Sequence, residues 1–477
     1  MRSLATFSKN AAMLLVARAV DLLFSIAMVA VITRYFGAEV YGQYAVLMAV
    51  VLTLTSMAHL GIPKIVIREI AKNHDSASHF LGASLILSGS MFPVVVLAAG
   101  VASLFLNLDS SLSVALWLAI AAELLHTLAG SFGSVFLARE RMELDATVTL
   151  SMRLVFFAIL LFVVLNKLGL TCLFFSMLVA NALALILAAT LCWRSLGVWP
   201  ALGASRQTLR HLFTEAIPVG ATFILLQFLQ YVDVFVLKLL RGFEDVAFFQ
   251  APYVLVCKSQ YVGRIVILSL APILARMVLS ENRCNLGPLY TTLAKYALFA
   301  SLPVSLFGLF FRNELVTLFF GEAFLPAAAV FSVIVWSVPL IIVDLISDVT
   351  LVSMGKQKLV LAHTFAGLVL NTILDFALIP HYGSTGAGLA SLTALAFVFL
   401  LNLRLVWQNA PRVNVFKIFC LPLLLAGGAS SFGILLAPLG TVISLLSVSA
   451  LYVMSMWLVF RRSGEEWSLL LLTIRTA

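Results

Sequence analysis

Long apolar blocks follow one another along the whole chain, separated by short polar connections. A helical run of ~20 apolar residues crosses a hydrocarbon core of ~30 Å. The pattern predicts helices over residues 10–33, 43–61, 81–106, 113–137, 147–165, 171–193, 213–239, 248–272, 290–311, 327–352, 359–378, 386–407, 415–437 and 440–460. That makes fourteen, an even number, so both termini fall on one side. The first block is longer than the apolar region of a secretory signal, and no small-residue cleavage site precedes the next span, so it reads as a retained first helix.

Composition sharpens this into a class. Hydrophobic residues make up 62% of the 477 positions and charged ones only 11%, against about 25% charged in soluble domains. The reading is an all-α, polytopic integral membrane protein. The net charge of +9 then reports orientation rather than nucleic-acid binding, because Lys and Arg gather in cytoplasmic loops. With the amino terminus inside, twenty of the thirty Lys and Arg residues fall in or beside inner loops and termini. Only Arg34, Lys167, Lys238, Arg241 and Arg312 fall outside. The five cysteines form no CxxC or Cys/His cluster, so no metal site is expected.

The chain also repeats itself. "RYFGAEVYGQYAVL" (34–47) is answered by "LRGFEDVAFFQAPYVL" (240–255), "LARERMELDATVTL" (137–150) by "VSMGKQKLVLAHTF" (352–365), and "LNKLGLTCLFFSM" (165–177) by "IPHYGSTGAGLASL" (379–391). Units of six helices enter the membrane in the same sense, which makes them parallel repeats about an axis along the membrane normal. The expected organisation is an amino-terminal lobe (1–205, helices one to six), a carboxy-terminal lobe (206–410, helices seven to twelve), and an appendage with a cytoplasmic tail (411–477), with a central cavity between the lobes. The Gly-, Ala- and Ser-containing stretch 194–213 is the candidate boundary.

"FGAEVYGQYAVLMAV", "LGIPKIVIREIAK" and "LIPHYGSTGAGLAS" resemble the polysaccharide flippase family (Wzx-type) of the multidrug/oligosaccharidyl-lipid/polysaccharide exporter superfamily. The resemblance covers essentially the whole chain. It implies that undecaprenyl-diphosphate-linked oligosaccharide is moved from the inner to the outer leaflet of a bacterial cytoplasmic membrane. The product would serve O-antigen, capsule or exopolysaccharide assembly, with a polymerase and chain-length machinery as partners.

Ionisable residues inside the spans supply the candidate site, since each costs at least ~2.5–3.5 kcal/mol if it faces lipid. The basic ones are Arg18, Arg153, Lys258, Arg264 and Lys295; the acidic ones are Asp21, Glu123, Glu215, Asp233, Asp344, Asp348 and Asp375. In helix eight, Gln250, Tyr253, Cys257, Gln260, Tyr261 and Arg264 share one face at helical spacing, with Lys258 at its edge. Arg grips phosphate oxygens bidentately and Lys supplies a point charge, so these cations suit a diphosphate. Arg18 and Asp21 are spaced for a local ion pair, and Arg18→Ala is expected to impair transport while Arg18→Lys preserves part of it. Arg153 and Lys295, near span ends, are expected to snorkel towards the inner interface more than to touch substrate. Asp21, Glu123, Asp233, Asp344, Asp348 and Asp375 are candidates for ion pairing or for coupling to protons or sodium; no cofactor is expected. Glu123 with His126, and Asn371 with Asp375, lie one helical turn apart.

Three rivals stand beside this reading. A multidrug cation/proton antiporter of the same superfamily would want an acidic, aromatic cavity, and the intramembrane acids do outnumber the bases. A peptidoglycan-precursor flippase shares the fold. A polytopic lipid-linked sugar enzyme would carry acidic motifs in a large outer loop and has no signature here.

Overall fold

The computed structural model describes residues 2–106, 108–201, 203, 205–258, 260, 274, 277, 286–436, 452 and 454, with the side chains of residues 2–19, 21 and 429–436 outside that description. The described residues are mostly helical, joined by short turns and connections, without strands. In chain order they form α1 (Arg2–His59), α2 (Ile62–Lys72), α3 (Ala77–Ser90), α4 (Phe92–Phe105), α5 (Ser110–Ala138), α6 (Met142–Leu165), α7 (Leu170–Leu196), α8 (Arg206–Leu240) and α9 (Phe243–Cys257). After these come α10 (Leu286–Phe310), α11 (Arg312–Phe320), α12 (Ala327–Ile334), α13 (Ser337–Ser353), α14 (Gln357–Asn409) and α15 (Val415–Leu436). Among the described residues nine helical stretches are long and apolar enough to cross a membrane. Two of these, Leu22–Lys72 and Gln357–Asn409, run over fifty residues. Leu97, Leu104, Phe105 and Leu165 are all more than 70% exposed, which suits a lipid-facing surface and would be an aggregation liability in water.

The helices depart from the expected ones where the backbone breaks within a run or continues through a loop. The first outer loop is absent as a loop: α1 passes through it, broken at Gly37 (φ 79°). The turn between the eleventh and twelfth predicted spans is likewise a single break in α14, at Gly383. Gly242, which the repeat aligns with Gly37, also has positive φ (125°). Nothing lies within 4 Å of a Cβ built on Gly37 or Gly242, so backbone conformation alone requires glycine at both. Gly37→Ala and Gly242→Ala should each cost about 1–2 kcal/mol, read as a lowered melting temperature in detergent; unchanged melting would show that the breaks relax. The third predicted span is divided at Met91, where Pro93 opens α4. The tenth is divided at Val335 and Trp336, and Ser305 Oγ donates to the Val335 carbonyl at 2.9 Å. The connection at Arg312–Pro326, expected on the outer side, contains a helix, α11, and a 3-10 turn.

The chain divides into two compact units, 1–247 and 248–477. Helix α8 therefore goes with the first unit, whereas the repeat sets the lobe boundary at residues 205 and 206. The cause is local: α8 packs on α1, α2 and α3, and the connection before it is tied down by Ala201 N–H donating to Ser78 O at 2.9 Å. Within this unit α5 and α7 make the most extensive contact. Ser176, Ala180, Ala184 and Ala188 form a ridge of small buried side chains along α7 at four-residue spacing. Small buried residues of α5 serve its other neighbours too: Ser131 shares a 2.9 Å hydrogen bond with Ser84 of α3, and a Cβ on Gly133 would lie 2.9 Å from Asp145 Oδ1 of α6. Small residues let helix backbones approach closely where no hydrophobic drive operates between them. The second unit packs α10, α13, α14 and α15 around Tyr290, Leu298, Phe299, Val343 and Leu403.

Candidate functional site

Polar groups collect inside each unit. In the first, Tyr44 of α1 stacks on Phe174 of α7 at 5.6 Å between ring centroids. Arg153 of α6 and Glu123 of α5 both lie within electrostatic reach of Tyr44. His59, at the end of α1, lies within reach of His126, one turn beyond Glu123. Glu123 and Arg153 are half-buried, and both histidines are exposed. The expected Glu123–His126 neighbourhood thus has an arginine and a second histidine as company. Arg153 is half-buried within electrostatic reach of Tyr44.

In the second unit, Asn402 of α14 is fully buried and bridges two carboxylates. Its Nδ2 donates to Asp344 Oδ1 and to Asp348 Oδ1, each at 3.1 Å. Its Oδ1 lies 2.8 Å from His363 Nδ1, which donates. The bridge explains how α13 can carry Asp344 and Asp348 on one face: a single amide satisfies both. Beside Asp348, Ser347 shares a 2.8 Å hydrogen bond with Tyr290 of α10. The Asn402 cluster of four side chains and the Tyr290–Ser347 pair beside it bring polar groups of three helices together.

Other predicted residues stand apart. Lys295 is 2% exposed, with its ammonium 4.8 Å from the Tyr296 ring centroid; this corrects the expected snorkelling, because the side chain is buried within the second unit. Asn371 Nδ2 lies 3.5 Å from Asp375 Oδ2, both residues being buried. Asp233 is 1% exposed in α8. Gln250 is buried, and Oε1 has no hydrogen-bond partner among the described residues. Tyr253 stacks on Phe249 at 5.0 Å, while Lys258 and Gln260 are half-buried. The Arg18 and Asp21 side chains, and Tyr261 and Arg264 entirely, lie outside the described residues. Glu215, expected among the intramembrane acids, instead pairs with Arg68 of α2, and 38% of its side-chain surface is exposed. Among the described residues no group of three His, Cys, Asp or Glu side chains could hold a metal ion.

The sequence reading missed His363, Asn402 and Tyr290. Asn402 did carry a signal, a lone amide within "VFLLNLRLV", since a polar side chain in a spanning helix needs a partner.

A family described as polysaccharide biosynthesis protein matches residues 7–278, and the MatE family matches residues 218–377. No curated protein matches the sequence. Among solved structures, "Lipid II flippase MurJ, inward closed conformation" superposes with a TM-score of 0.73 at 13% identity, covering 95% of this chain and 99% of that one. An inward-facing multidrug resistance MATE family transporter of the MOP superfamily gives 0.64 at 15%, covering 80% and 94%. A MOP superfamily transporter from Pyrococcus furiosus, described by the reverse polarity of its binding pocket, gives 0.59 at 14%, covering 84% and 95%. At these identities the likeness is one of fold, and the fold is that of the multidrug/oligosaccharidyl-lipid/polysaccharide exporter superfamily.

Proposed function

The chain belongs to the polysaccharide biosynthesis protein family, and on that premise we propose that it is a flippase for undecaprenyl-diphosphate-linked oligosaccharide. It carries repeat units from the inner to the outer leaflet of the bacterial cytoplasmic membrane by alternating access. The observation that carries the reading is the family match over more than half the chain, on the fold of membrane transporters.

The physical task fits such a protein. An oligosaccharide joined to a diphosphate cannot cross hydrocarbon unaided, because every unpaired hydroxyl and charge costs several kcal/mol there. The carrier must offer cations for the diphosphate and hydrogen-bonding groups for the sugars. Arg153 and Lys258 supply half-buried cations, and Gln250, with its orphan carbonyl oxygen, supplies an acceptor. Arg18 and Arg264 complete the cationic set, and Lys295 belongs to it by charge. The linked acids Asp344 and Asp348 couple the cycle to protons or sodium. A polymerase and chain-length machinery take the product on the far side.

A second reading has its own support. The MatE match and the buried acids Asp233 and Asp375 suit a multidrug cation/proton antiporter. Cells without the protein separate the two. The flippase reading expects intact lipid-linked repeat units to accumulate on the cytoplasmic leaflet. An unchanged lipid-linked pool with lost resistance to cationic drugs would transfer the protein to the antiporters.

A further inference from the structure

One end of α8 is fastened to the α1–α2 elbow at four successive levels. Gln227 Nε2 donates to the Leu52 carbonyl at 3.3 Å. At the elbow, backbones meet through two glycines: a Cβ on Gly61 would lie 2.3 Å from Val219 Cγ1, and one on Gly220 would lie 2.9 Å from Leu60 Cα. Next, Lys64 Nζ stands 4.8 Å from the Phe223 ring centroid. Last, Arg68 Nη2 donates to Glu215 Oε2 at 2.5 Å. Lys64, Arg68 and Lys72 mark this end as cytoplasmic by the distribution of basic residues.

We propose that this seam is a latch that holds α8 on the α1–α2 elbow, released when the diphosphate of an arriving lipid replaces Glu215 as the partner of Arg68. The proposal rests on the flippase reading for its ligand, a diphosphate ester at the membrane surface, and on the contacts above for its geometry.

Three features suit the seam to parting. Each charge keeps a neighbour on its own helix: Arg68 Nε also donates to Glu69 Oε1 at 2.8 Å, and Glu215 Oε1 lies 3.9 Å from His211 Nδ1. Separation therefore strands neither group. Both side chains are substantially exposed, 47% for Arg68 and 38% for Glu215, so water replaces the lost contact at little cost. Helix α8 also has a soft point at the crossing, because Pro218 removes a backbone hydrogen bond and Gly220 follows two residues later.

The ligand argument follows from charge. Among the described residues Arg68 donates to the carboxylates of Glu69 and Glu215, and a diphosphate offers more oxygens and more charge to the same planar fork. Glu215 would repel that diphosphate if the pair stayed together. Exchange of partners thus links arrival of the headgroup to release of α8, and Arg68 becomes the first protein group the lipid meets.

Spin labels at Ala71→Cys and Gln207→Cys, exposed positions flanking the pair, report the separation of α2 from α8 in vesicles of the full chain. The expected result is a short and a long population, with the long one growing when undecaprenyl diphosphate is added to the vesicle lipid. Arg68→Ala and Glu215→Gln should each raise the long population in plain vesicles by up to about fivefold, as suits an exposed ion pair. The exchanged pair, Arg68→Glu with Glu215→Arg, should restore the short one. A single short separation in every lipid and variant would overturn the latch, whether or not the protein translocates lipid-linked oligosaccharide. Opening in Arg68→Ala, with the wild-type seam unchanged by undecaprenyl diphosphate, would overturn the role of Arg68 as headgroup ligand. If the seam opens as described but the same vesicles translocate nothing, the latch stands and the flippase reading falls.

Discussion

Asn402→Leu is expected to cost the protein about 2–4 kcal/mol of stability, because one amide satisfies three other buried or half-buried groups. With leucine in its place, Asp344 and Asp348 lose their shared donor and His363 loses its acceptor. Leucine matches the volume closely enough that the loss is electrostatic rather than a cavity. Two carboxylates then face each other across one helical turn with no group between them, and a half-satisfied polar network is worse than none. Thermal unfolding in detergent is the measurement. A clear fall for Asn402→Leu is expected, with much of it recovered when Asp344→Leu and Asp348→Leu are added, since the orphaned charges are then gone. An unchanged melting temperature for the single variant would mean that water or other side chains satisfy the acids. The same network predicts function: Asp348→Asn should leave the protein folded and weaken the dependence of transport on an ion gradient.

The second large effect falls on translocation. Arg153→Ala and Lys258→Ala are each expected to slow it by roughly 10–100-fold, the loss of one charge-assisted hydrogen bond worth ~1.5–3 kcal/mol. Arg153 is half-buried beside Tyr44 and Glu123, and Lys258 is half-buried at the end of the helix that carries Gln250 and Tyr253. Arg153→Lys should retain part of the rate, because the charge remains while the bidentate fork is lost. Transport in vesicles, with protein amount and folding matched, checks both. Wild-type rates in either alanine variant would remove that residue from the substrate's path.

Much of this architecture was legible in the sequence, and the reasons for the exceptions are physical. Expected spans at 113–137, 147–165, 171–193 and 290–311 lie within or nearly within α5, α6, α7 and α10, because each is one apolar run bounded by polar residues. Helix α2 escaped detection since Ile62, Ile65, Val66 and Ile70 bury one stripe while Lys64, Arg68 and Lys72 cover the other. Read for hydropathy alone, such an amphipathic segment looks like a loop. Gly37 and Gly383 misled in the opposite direction, as a turn made of one residue needs no polar loop around it.

The acids on α13 were legible as a pair because four-residue spacing is visible locally. Their partners were not. Asn402 lies 58 residues from Asp344, and Glu215 lies 147 from Arg68, so no periodicity connects them. Burial of Lys295 was equally hidden, since its neighbours come from packing rather than sequence.

Translocation by the purified full chain in vesicles tests the central claim most directly. Undecaprenyl-diphosphate-linked oligosaccharide is placed in one leaflet, and its appearance in the other is read by access to a sugar-cleaving enzyme added outside. The flippase account predicts that the protected fraction falls with time in vesicles holding the protein, and that it falls more slowly with Arg153→Ala or Lys258→Ala. Equal protection in vesicles with and without the protein, alongside uptake of cationic drugs by the same vesicles, would contradict it.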